Sequence, residues 1–438
     1  MSTQTAKPES TEVGSYFIAN YPPFSCWSAD AVPQARDVLA RPVETEVPLG
    51  LYIHIPFCRK RCKFCYFRVY TDKNADQVEQ YLTAIGREVE LYSRAAAIAG
   101  RRLRFAYFGG GTPSFLSAAQ LLRLVERLNQ SISWGHAREV TFECEPGTLS
   151  KAKLEAIKAI GVTRLSLGIE NFDDTVLETN GRAHLSKEIY RAYTWAREVG
   201  FDQINIDLIA GMVGETPENW RACVRKAVEL QPESVTIYQM ELPYNTVFSS
   251  QVLGGNGQVP VADWATKRAW VEHAFAEFEL AGYRVSSGYT LARDPDRVRF
   301  EYRDSLWHGA DMLGVGVASF SHIQGVHYQN TDQWEVYRSH LEAGELPLSR
   351  ALVPTPNQRL IREWILQLKT GRVDTGPLSA KYDTDVLAEF DEPLEQLANK
   401  GLLTVRGQIV ELTRAGLLQV DGLLPAFFEP QHREIRYT

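Results

Sequence analysis

Short apolar runs recur along the first half of the chain and alternate with segments whose apolar residues fall at helical spacing. Runs that are nearly continuous in apolar content are typical of strands buried on both faces, whereas a spacing of three or four residues predicts amphipathic helices. The predicted strands are residues 49–55, 102–108, 138–143, 163–169, 202–209 and 234–240. Strands that alternate with helices predict a parallel sheet, and six such units predict a β/α barrel that is open on one side.

The regular alternation ends after residue 240. Clustered aromatic and glycine residues then predict further strands that complete or cover the sheet. Near the C-terminus, two helical segments (about 357–370 and 385–400) precede the run GLLTVRGQIVELT, which predicts two strands joined by a turn at Arg406-Gly407. We therefore expect an N-terminal extension over residues 1–47, a barrel over 48–240, a substrate-side elaboration over 241–352 and a small winged-helix-like domain over 353–438.

Charge and composition exclude several classes of protein. The chain has 438 residues and a formal net charge of −7, so it offers no bulk attraction to nucleic acids or anionic membranes. It contains no run of about 18 apolar residues that would span a membrane, and its first residues lack the apolar core of a signal peptide. These features predict a cytoplasmic enzyme without a nucleic-acid partner.

Three of the six cysteines, Cys58, Cys62 and Cys65, form a C-x3-C-x2-C cluster after the first predicted strand. Soft thiolate ligands at this density favour iron–sulfur or zinc. A structural zinc site needs a fourth ligand, which His54 could supply. A four-iron cluster held by three cysteines instead leaves one iron open to a cofactor or substrate. The glycine turn GGGTP follows the second predicted strand, and sites in parallel α/β folds lie at these carboxyl ends of the strands.

Several segments in order carry a family resemblance: YIHIPFCRKRCKFC, YFGGGTPS, LSLGIENFD and NIDLIAGMVGETPENW. With the wing-like C-terminal run, they resemble the radical S-adenosylmethionine superfamily, and within it the branch that contains oxygen-independent coproporphyrinogen III oxidase. The resemblance covers about residues 48–425. It implies a 4Fe-4S cluster held by the three cysteines, with the fourth iron bound to S-adenosylmethionine. It also implies reductive cleavage of that cofactor to a 5′-deoxyadenosyl radical, which abstracts hydrogen.

The same resemblance implies which other residues surround the cofactors. Tyr52 would line the cluster loop, and Phe64 would shield the cluster from water. The glycine turn would offer backbone groups to the methionyl amine through Gly109, Gly110, Gly111 and Thr112. The polar cofactor contacts would be Glu143, Glu170, Arg182 and Asp207. Glu170 departs from the family, which usually carries glutamine there, and an internal ion pair is the alternative role for each charged residue.

Two further departures bear on the reaction. Phe67 stands where the oxidases carry a fourth cysteine, and RDSLW (303–307) stands where heme-chaperone relatives carry H-N-x-x-Y-W. The resemblance then favours relatives that transfer a methyl or methylene group to an sp² carbon of an aromatic or tetrapyrrole substrate with a second S-adenosylmethionine. Two alternatives stay open: oxidase-like decarboxylation of coproporphyrinogen, and a heme-binding chaperone in which His308, His322 or His327 would bind heme.

Residues 238–245 and 313–322 are expected to face the second cofactor and the substrate, with Gly314 and Gly316 allowing close approach. An aromatic group suits either a flat substrate or an ordinary core, and it consists of Tyr289, Phe300, Tyr302, Trp307, Phe320 and Tyr328. The expected partners are this small molecule and an electron donor such as flavodoxin or ferredoxin. The sequence assigns no catalytic residue.

Overall fold

The computed structural model describes residues 10–43, 46–254 and 259–437. Parts of the predicted N-terminal extension (1–9 and 44–45), four residues of the predicted substrate-side segment (255–258) and Thr438 lie outside the described residues. Among the described helices, none is both long enough and apolar enough to cross a membrane.

Six parallel strands form the centre of the molecule, and they are the six that the sequence predicts. The strands β1–β6 are Leu49–Ile55, Leu103–Gly110, Glu139–Cys144, Arg164–Glu170, Gln203–Ala210 and Ser234–Gln239. The first seven helices, α1–α7, are Val32–Leu39, Ala75–Ser93, Ala118–Asn129, Lys151–Ala159, Asp174–Thr179, Ser186–Val199 and Pro217–Leu230. Each of β1–β5 pairs in parallel with its successor, so the chain advances by one strand at each crossover. The prediction of an α/β core is confirmed.

The following segment extends this sheet at both ends. Its strands β7–β12 are Arg284–Val285, Thr290–Ala292, Asp311–Val315, Phe320–Ile323, Val326–Asn330 and Leu348–Leu352. The sheet has twelve strands in the order β12-β11-β10-β9-β1-β2-β3-β4-β5-β6-β8-β7. Strand β9 pairs in parallel with β1, and β8 pairs antiparallel with β6. Among the residues that the structure describes, the two ends of the sheet are not hydrogen-bonded to each other, so the barrel is open as predicted.

Four helices in this segment were not predicted. They are α8–α11, which span Val247–Leu253, Trp264–Leu280, Glu301–Trp307 and Trp334–Glu342. In α9 the apolar residues are spread around the helix, and even Lys267 is fully buried, so the apolar stripe that marks an amphipathic helix is weak. Helix α9 therefore forms because of tertiary packing, which the local pattern does not encode.

The C-terminal region combines helices with a three-stranded antiparallel sheet of order β13-β15-β14. Strands β13–β15 are Arg372–Asp374, Leu403–Arg406 and Ile409–Leu412, and helices α12–α17 are Pro356–Leu368, Thr375–Tyr382, Val386–Glu389, Asp391–Asn399, Arg414–Leu417 and Val420–Leu423. The turn between β14 and β15 includes Gly407 at φ +59°, where the sequence predicts the turn of the wing. The predicted helix over 385–400 is two helices, because the chain turns at Phe390.

Candidate functional site

A cavity of about 1590 Å³ lies at the carboxyl ends of the parallel strands. Its wall on β4 consists of every second residue, namely Arg164, Ser166, Gly168 and Glu170. Because side chains alternate along a strand, the intervening Leu165, Leu167 and Ile169 pack into the core instead. The apparently apolar strand therefore presents a polar face to the cavity.

The cysteine loop joins β1 to α2 and lines this cavity with Cys58, Cys62 and Cys65, each partly buried. The Cys58 N–H donates to the Tyr70 carbonyl over 3.0 Å, and the Tyr70 N–H donates to the Pro56 carbonyl over 2.7 Å. The Cys65 N–H donates to the Cys62 carbonyl over 3.2 Å, which tightens the loop between these two thiols. Backbone bonds thus place all three sulfur atoms on one wall.

Burial disfavours the charged form of two of the three thiols. Burial raises the pKa of Cys58 to about 11 and that of Cys65 to about 12, since a buried thiolate loses its hydration. Bound metal ions would reverse this shift by stabilising the thiolate. Within the described residues, no three His, Cys, Asp or Glu side chains converge closely enough to hold one metal ion. A C-x3-C-x2-C loop with no fourth thiol fits a cluster in which each thiolate binds its own iron.

The glycine turn brings the backbone close to the cysteine loop. Gly110 has φ +112°, and a Cβ on it would lie 2.5 Å from the His54 ring. The Gly111 N–H donates to the Ile55 carbonyl over 2.8 Å, and the Thr112 hydroxyl donates to Cys58 Sγ over 3.3 Å. Gly110, Gly111 and Thr112 line the cavity. Gly109 is buried within β2 and is not part of the cavity wall, so the structure does not place this predicted residue with the others.

Two acidic residues face the cavity from the strands on either side of β4. Glu143, on β3, accepts hydrogen bonds from the Tyr107 hydroxyl over 2.7 Å and from the Gly110 N–H over 3.2 Å. Burial raises the pKa of Glu143 to about 7. Asp207, on β5, accepts from the Ser166 hydroxyl over 2.9 Å and from the Asn205 amide over 3.0 Å, and burial raises its pKa as well. Both carboxyl groups are held in fixed orientations.

Arg182 connects the cysteine loop with β4. Its Nη1 donates to Cys62 Sγ over 3.3 Å, and its Nη2 donates to the Gly168 carbonyl over 2.6 Å. Glu170 lies 3.6 Å from Nη1, and burial raises the pKa of this carboxyl to about 7. The buried Nε has no hydrogen-bond partner in the part of the chain that the structure describes. The predicted ion pair therefore exists, and it leaves one donor of Arg182 available to a ligand.

The two predicted aromatic residues also lie at this wall. The Tyr52 ring stacks on Tyr107 at a centroid distance of 5.7 Å. Phe64 lines the cavity and packs against a small apolar cluster that includes Met212, Met240 and Leu242. Of the thirteen residues predicted for the cofactors, the structure thus brings all except Gly109 to one cavity.

The predicted substrate side is only partly correct. Residues 238–245 line the cavity apart from Leu242, but only the end of the 313–322 segment does. A Cβ on Gly314 would lie 2.1 Å from the Phe320 carbonyl oxygen, so that glycine serves the close packing of β9 and β10. Gly316 likewise lies away from the cavity wall. Both predictions of close approach to a ligand are corrected to structural roles.

The predicted aromatic group divides in the same way. Tyr289, Phe300, Tyr302, Trp307 and Phe320 line the cavity, whereas Tyr328 is fully buried in the core. His322 and His327 reach the cavity and His308 does not. Arg164, Tyr66 and Phe67 also line the cavity, although the sequence does not predict them as site residues. The local pattern does not show which way a loop side chain such as Phe67 points.

The described part of the N-terminal extension closes one side of the cavity. The Gly14 N–H donates to the Leu242 carbonyl over 2.7 Å, and the Tyr16 ring stacks on Tyr437 at 4.3 Å. Lys369 Nζ donates to the Ile18 carbonyl from the C-terminal region. Residues 12–20 of this segment line the cavity and are held by contacts with both the barrel and the C-terminal region.

Comparison with known proteins gives the class of this site. The model of the Radical SAM superfamily matches residues 52–227, a range that includes the cysteine loop, the glycine turn, Glu143, Arg182 and Asp207. The chain therefore contains a Radical SAM domain over these residues. Proteins of this superfamily use a 4Fe-4S cluster and S-adenosylmethionine, so the prediction of these cofactors is confirmed.

Similar radical SAM proteins include two kinds of relative. Oxygen-independent coproporphyrinogen III oxidase of Escherichia coli (strain K12) is 29% identical over 397 residues, which cover 87% of this chain and 86% of the relative. Heme chaperone HemW of Bacillus subtilis (strain 168) is 27% identical over 384 residues, which cover 86% and 98%. The structure of coproporphyrinogen III oxidase (HemN) from Escherichia coli matches with a TM-score of 0.81 at 27% identity, covering 94% of this chain and 96% of that one.

Proposed function

We propose that this radical SAM protein is an enzyme that abstracts a hydrogen atom from a cyclic tetrapyrrole. The observation that carries the proposal is the shared wall of one large cavity, where Cys58, Cys62 and Cys65 meet Glu143 and Arg182. When bound, the reduced cluster supplies the electron that cleaves S-adenosylmethionine to methionine and a 5′-deoxyadenosyl radical. A one-electron donor such as flavodoxin or ferredoxin would provide that electron.

The residues of the wall have separate roles in this proposal. The three cysteines hold the cluster as thiolates. Gly110 lets the backbone come close to the methionyl amine, and Glu143 accepts a hydrogen bond from the same ammonium group. Arg182 binds the methionyl carboxylate through its free Nε–H, while its other nitrogen atoms keep their bonds to Cys62 and Gly168. Asp207 accepts hydrogen bonds from the ribose hydroxyls.

The size and lining of the cavity support a large ring as the substrate. Sites for drug-sized ligands have volumes of about 300–1,000 Å³, and this cavity is larger at about 1590 Å³. Aromatic side chains such as Tyr289, Phe300 and Tyr302 line it. The printed names of the relatives, coproporphyrinogen III oxidase and heme chaperone, both refer to tetrapyrroles.

Oxidative decarboxylation is the reaction that similarity to the oxidases supports. The 5′-deoxyadenosyl radical would take a hydrogen atom from a propionate side chain of the substrate. That side chain would then lose its carboxylate as carbon dioxide and one electron to a one-electron acceptor, which forms the vinyl double bond. Phe67, in place of a fourth cysteine, is the argument against it. Methyl or methylene transfer from a second S-adenosylmethionine stays a prediction from the sequence departures, and the relatives named above do not support it.

Heme binding without turnover is the second candidate function, and similarity to HemW over 98% of that relative favours it. The buried pair His322 and His327 could contribute ligands, since their rings lie 4.6 Å apart at the cavity. Burial lowers the pKa of both imidazoles, so each is neutral at physiological pH, as a metal ligand must be.

One anaerobic experiment tests these proposals together. The chain is reconstituted with iron and sulfide, then incubated with S-adenosylmethionine, dithionite and coproporphyrinogen III, and the products are measured by mass spectrometry. 5′-Deoxyadenosine with carbon dioxide supports decarboxylation, and 5′-deoxyadenosine with S-adenosylhomocysteine supports methyl transfer. A parallel titration of the reconstituted chain with heme tests the chaperone function. Stoichiometric heme uptake by a chain that forms none of these products would replace the enzyme proposal with the chaperone.

A further inference from the structure

Arg362 is a buried arginine in the cavity wall, and it forms no ion pair with any residue that the structure describes. It belongs to α12, in which every residue from Leu360 to Leu368 is buried, and it is only 6% exposed. Arg362 and Leu366 lie one turn apart on the same face of this helix, and both line the cavity. That face of α12 therefore points into the cavity.

Two nitrogen atoms of this guanidinium are available to a ligand. Its Nε donates to Asn20 Oδ1 over 2.6 Å, which holds one edge of the group in place. Nη1 and Nη2 have no hydrogen-bond partner in the described part of the chain, and unlike the unpaired Nε of Arg182 they are not fully enclosed by protein atoms. Because α12 is buried around Arg362 and the residue lines the cavity, these two nitrogen atoms open into the cavity.

The carboxyl groups that act most strongly on Arg362, those of Glu363 and Asp311, are already paired with other cations. Asp311 Oδ2 accepts a hydrogen bond from Arg101 over 2.8 Å. Glu363 Oε1 accepts one from Lys381 over 2.6 Å. These two pairs balance their own charges and leave Arg362 without a counter-ion. A buried charge without a partner is costly, so its place at a cavity indicates an anionic ligand.

The neighbouring face of the sheet is polar and carries a second arginine. His322 pairs with His327 and Gln329 pairs with Arg350 across β10, β11 and β12, so these four side chains lie on one face of the sheet. All four line the cavity. Arg350 donates to Gln329 Oε1 over 2.5 Å. Arg362 is within electrostatic range of both imidazoles, so it belongs to the same polar group.

This polar group lies at the other end of the parallel strands from the cysteine loop. His322 pairs with Met312 of β9, and Met312 pairs with Gly50 near the start of β1. The cysteine loop follows Ile55, at the end of β1. At about 3.3 Å per residue, the strand separates the two levels by roughly 16 Å. A substrate that reacts beside the cluster can therefore reach Arg362 only if it is large.

We propose that Arg362 binds a carboxylate side chain of the tetrapyrrole substrate, at the end of the cavity away from the cluster. The two free N–H groups of one guanidinium match the two oxygen atoms of a carboxylate, and such a charged pair of hydrogen bonds is strong and directional. The ligand supplies the counter-charge that the described residues do not. This inference rests on the proposed tetrapyrrole substrate and adds how one of its acidic side chains is recognised.

The test compares coproporphyrin III, which carries four carboxylates, with its uncharged tetramethyl ester. Their affinities for the reconstituted full-length chain are measured by anaerobic equilibrium dialysis in one detergent-containing buffer. We expect the wild-type chain to bind the acid at least about tenfold more tightly than the ester. Cationic residues of the cysteine loop also line the cavity and contribute to this preference, so variants of Arg362 are needed to assign it.

Arg362→Gln should lower the affinity for the acid by about tenfold and leave the affinity for the ester within about twofold of the wild-type value. Glutamine can still donate to Asn20, so the contact with the N-terminal segment is kept. Arg362→Lys should lose less affinity for the acid, because it keeps the charge but not the two parallel donors. Since the lysine variant also keeps a buried cation, it separates loss of the carboxylate contact from damage to the fold.

The matched control is Arg359→Gln, because Arg359 lies in the preceding turn of α12 and does not line the cavity. This variant should change neither affinity. Wild-type affinity of Arg362→Gln for the acid would overturn the proposal, and so would equal losses for the acid and the ester. A loss of S-adenosylmethionine affinity with unchanged binding of the acid would also overturn it, because Arg362 would then hold the carboxylate of the cofactor.

Failure of this inference and failure of the proposed function give different results. Binding requires no turnover, so a chain that selects the acid through Arg362 but forms no 5′-deoxyadenosine contradicts the proposed reaction alone. A chain that converts coproporphyrinogen III, while Arg362→Gln binds the acid as the wild type does, contradicts this inference alone. If the wild-type chain binds neither probe, the tetrapyrrole substrate and the role of Arg362 are both wrong.

Discussion

Arg182 donates a hydrogen bond from Nη1 to Cys62 Sγ over 3.3 Å, although 120 residues separate the two in the chain. This bond places a permanent positive charge beside a thiol of the cysteine loop. The same guanidinium is anchored to β4 through the Gly168 carbonyl. The cluster loop and the strand that carries Glu170 are therefore held in one arrangement by a single side chain.

Replacing Cys62 with alanine should abolish both the brown colour of the reconstituted chain and cleavage of S-adenosylmethionine. Two thiolates remain, which is too few to hold three irons of the cluster. Iron content and 5′-deoxyadenosine formation are the measurements. Cys26→Ala is the matched control, because Cys26 is a partly buried thiol outside the loop, and it should leave both unchanged. Full colour and full cleavage in the Cys62 variant would refute the cluster assignment.

Substituting Arg182 with lysine should lower the affinity for S-adenosylmethionine by about tenfold or more, while iron content stays at the wild-type level. A lysine keeps the charge but has one ammonium group, which cannot contact Cys62, Gly168 and a carboxylate at the same time. Isothermal titration of the reconstituted chain measures the affinity. Arg191→Lys, at an exposed pair with Glu188 on α6, should have no effect. An unchanged affinity in Arg182→Lys would show that this residue has only its structural role.

S-Adenosylmethionine should bind more tightly as the pH rises from about 6, with half of the gain reached near the pKa of Glu143 at about 7 and a plateau about one unit above it. Burial raises the pKa of Glu143 from 4.5 to about 7, so this carboxyl becomes an anionic acceptor for the methionyl ammonium only near neutrality. The same shift makes the unliganded fold lose stability as the pH rises from 4.5 through 7, because burial penalises the carboxylate. Affinity measured across this range provides the test.

Glutamine variants distinguish the effect of Glu143 on this pH dependence from that of Glu170. Burial raises the pKa of Glu170 to about 7 as well. Glu143→Gln should remove most of the pH dependence of binding, since the amide does not titrate. Glu170→Gln should keep it. The opposite result would assign the cofactor contact to Glu170, the position at which this chain departs from the usual glutamine.

Replacing Asp421 with alanine should destabilise the fold by about 3–5 kcal/mol and release the N-terminal segment. Lys369 is fully buried, and its Nζ lies 2.9 Å from Asp421 Oδ1, which also accepts a hydrogen bond from the Ile18 N–H over 3.1 Å. Without the carboxylate, the buried ammonium group loses its counter-charge and the segment loses an anchor. Urea denaturation and the rate of proteolysis within residues 10–24 measure the two effects.

An exposed ion pair provides the control for Asp421. Asp202 lies 3.2 Å from Lys158 Nζ at the surface, so Asp202→Ala should cost less than about 1 kcal/mol and leave proteolysis unchanged. Equal stability losses in the two variants, or unchanged proteolysis in Asp421→Ala, would show that this contact does not hold the N-terminal segment in place.

The sequence by itself determined the parallel core and the position of the cysteine loop. Strand β1 begins and ends at the predicted residues, Leu49 and Ile55, because a run of apolar residues between turn signals is local information. The glycine turn over residues 109–111 was also recognisable from the sequence, although only the structure shows that Gly110 has the positive φ of +112°. The order of strands and loops along the chain then required the cysteine loop and the glycine turn to meet at the same edge of the sheet.

Only the tertiary structure decided which distant residues lie together at that edge of the sheet and which glycines line the cavity there. The parallel pairing of β9 with β1 joins residues more than 250 positions apart, and no local pattern specifies it. No local pattern specifies that Arg182 lies beside Cys62 either. Nor does one show that Gly314 is needed for close packing of its strand against Phe320 and not for contact with a ligand. Short-range periodicity reports the burial of each element, whereas the direction of a loop side chain such as Phe67 depends on what the rest of the fold leaves open around it.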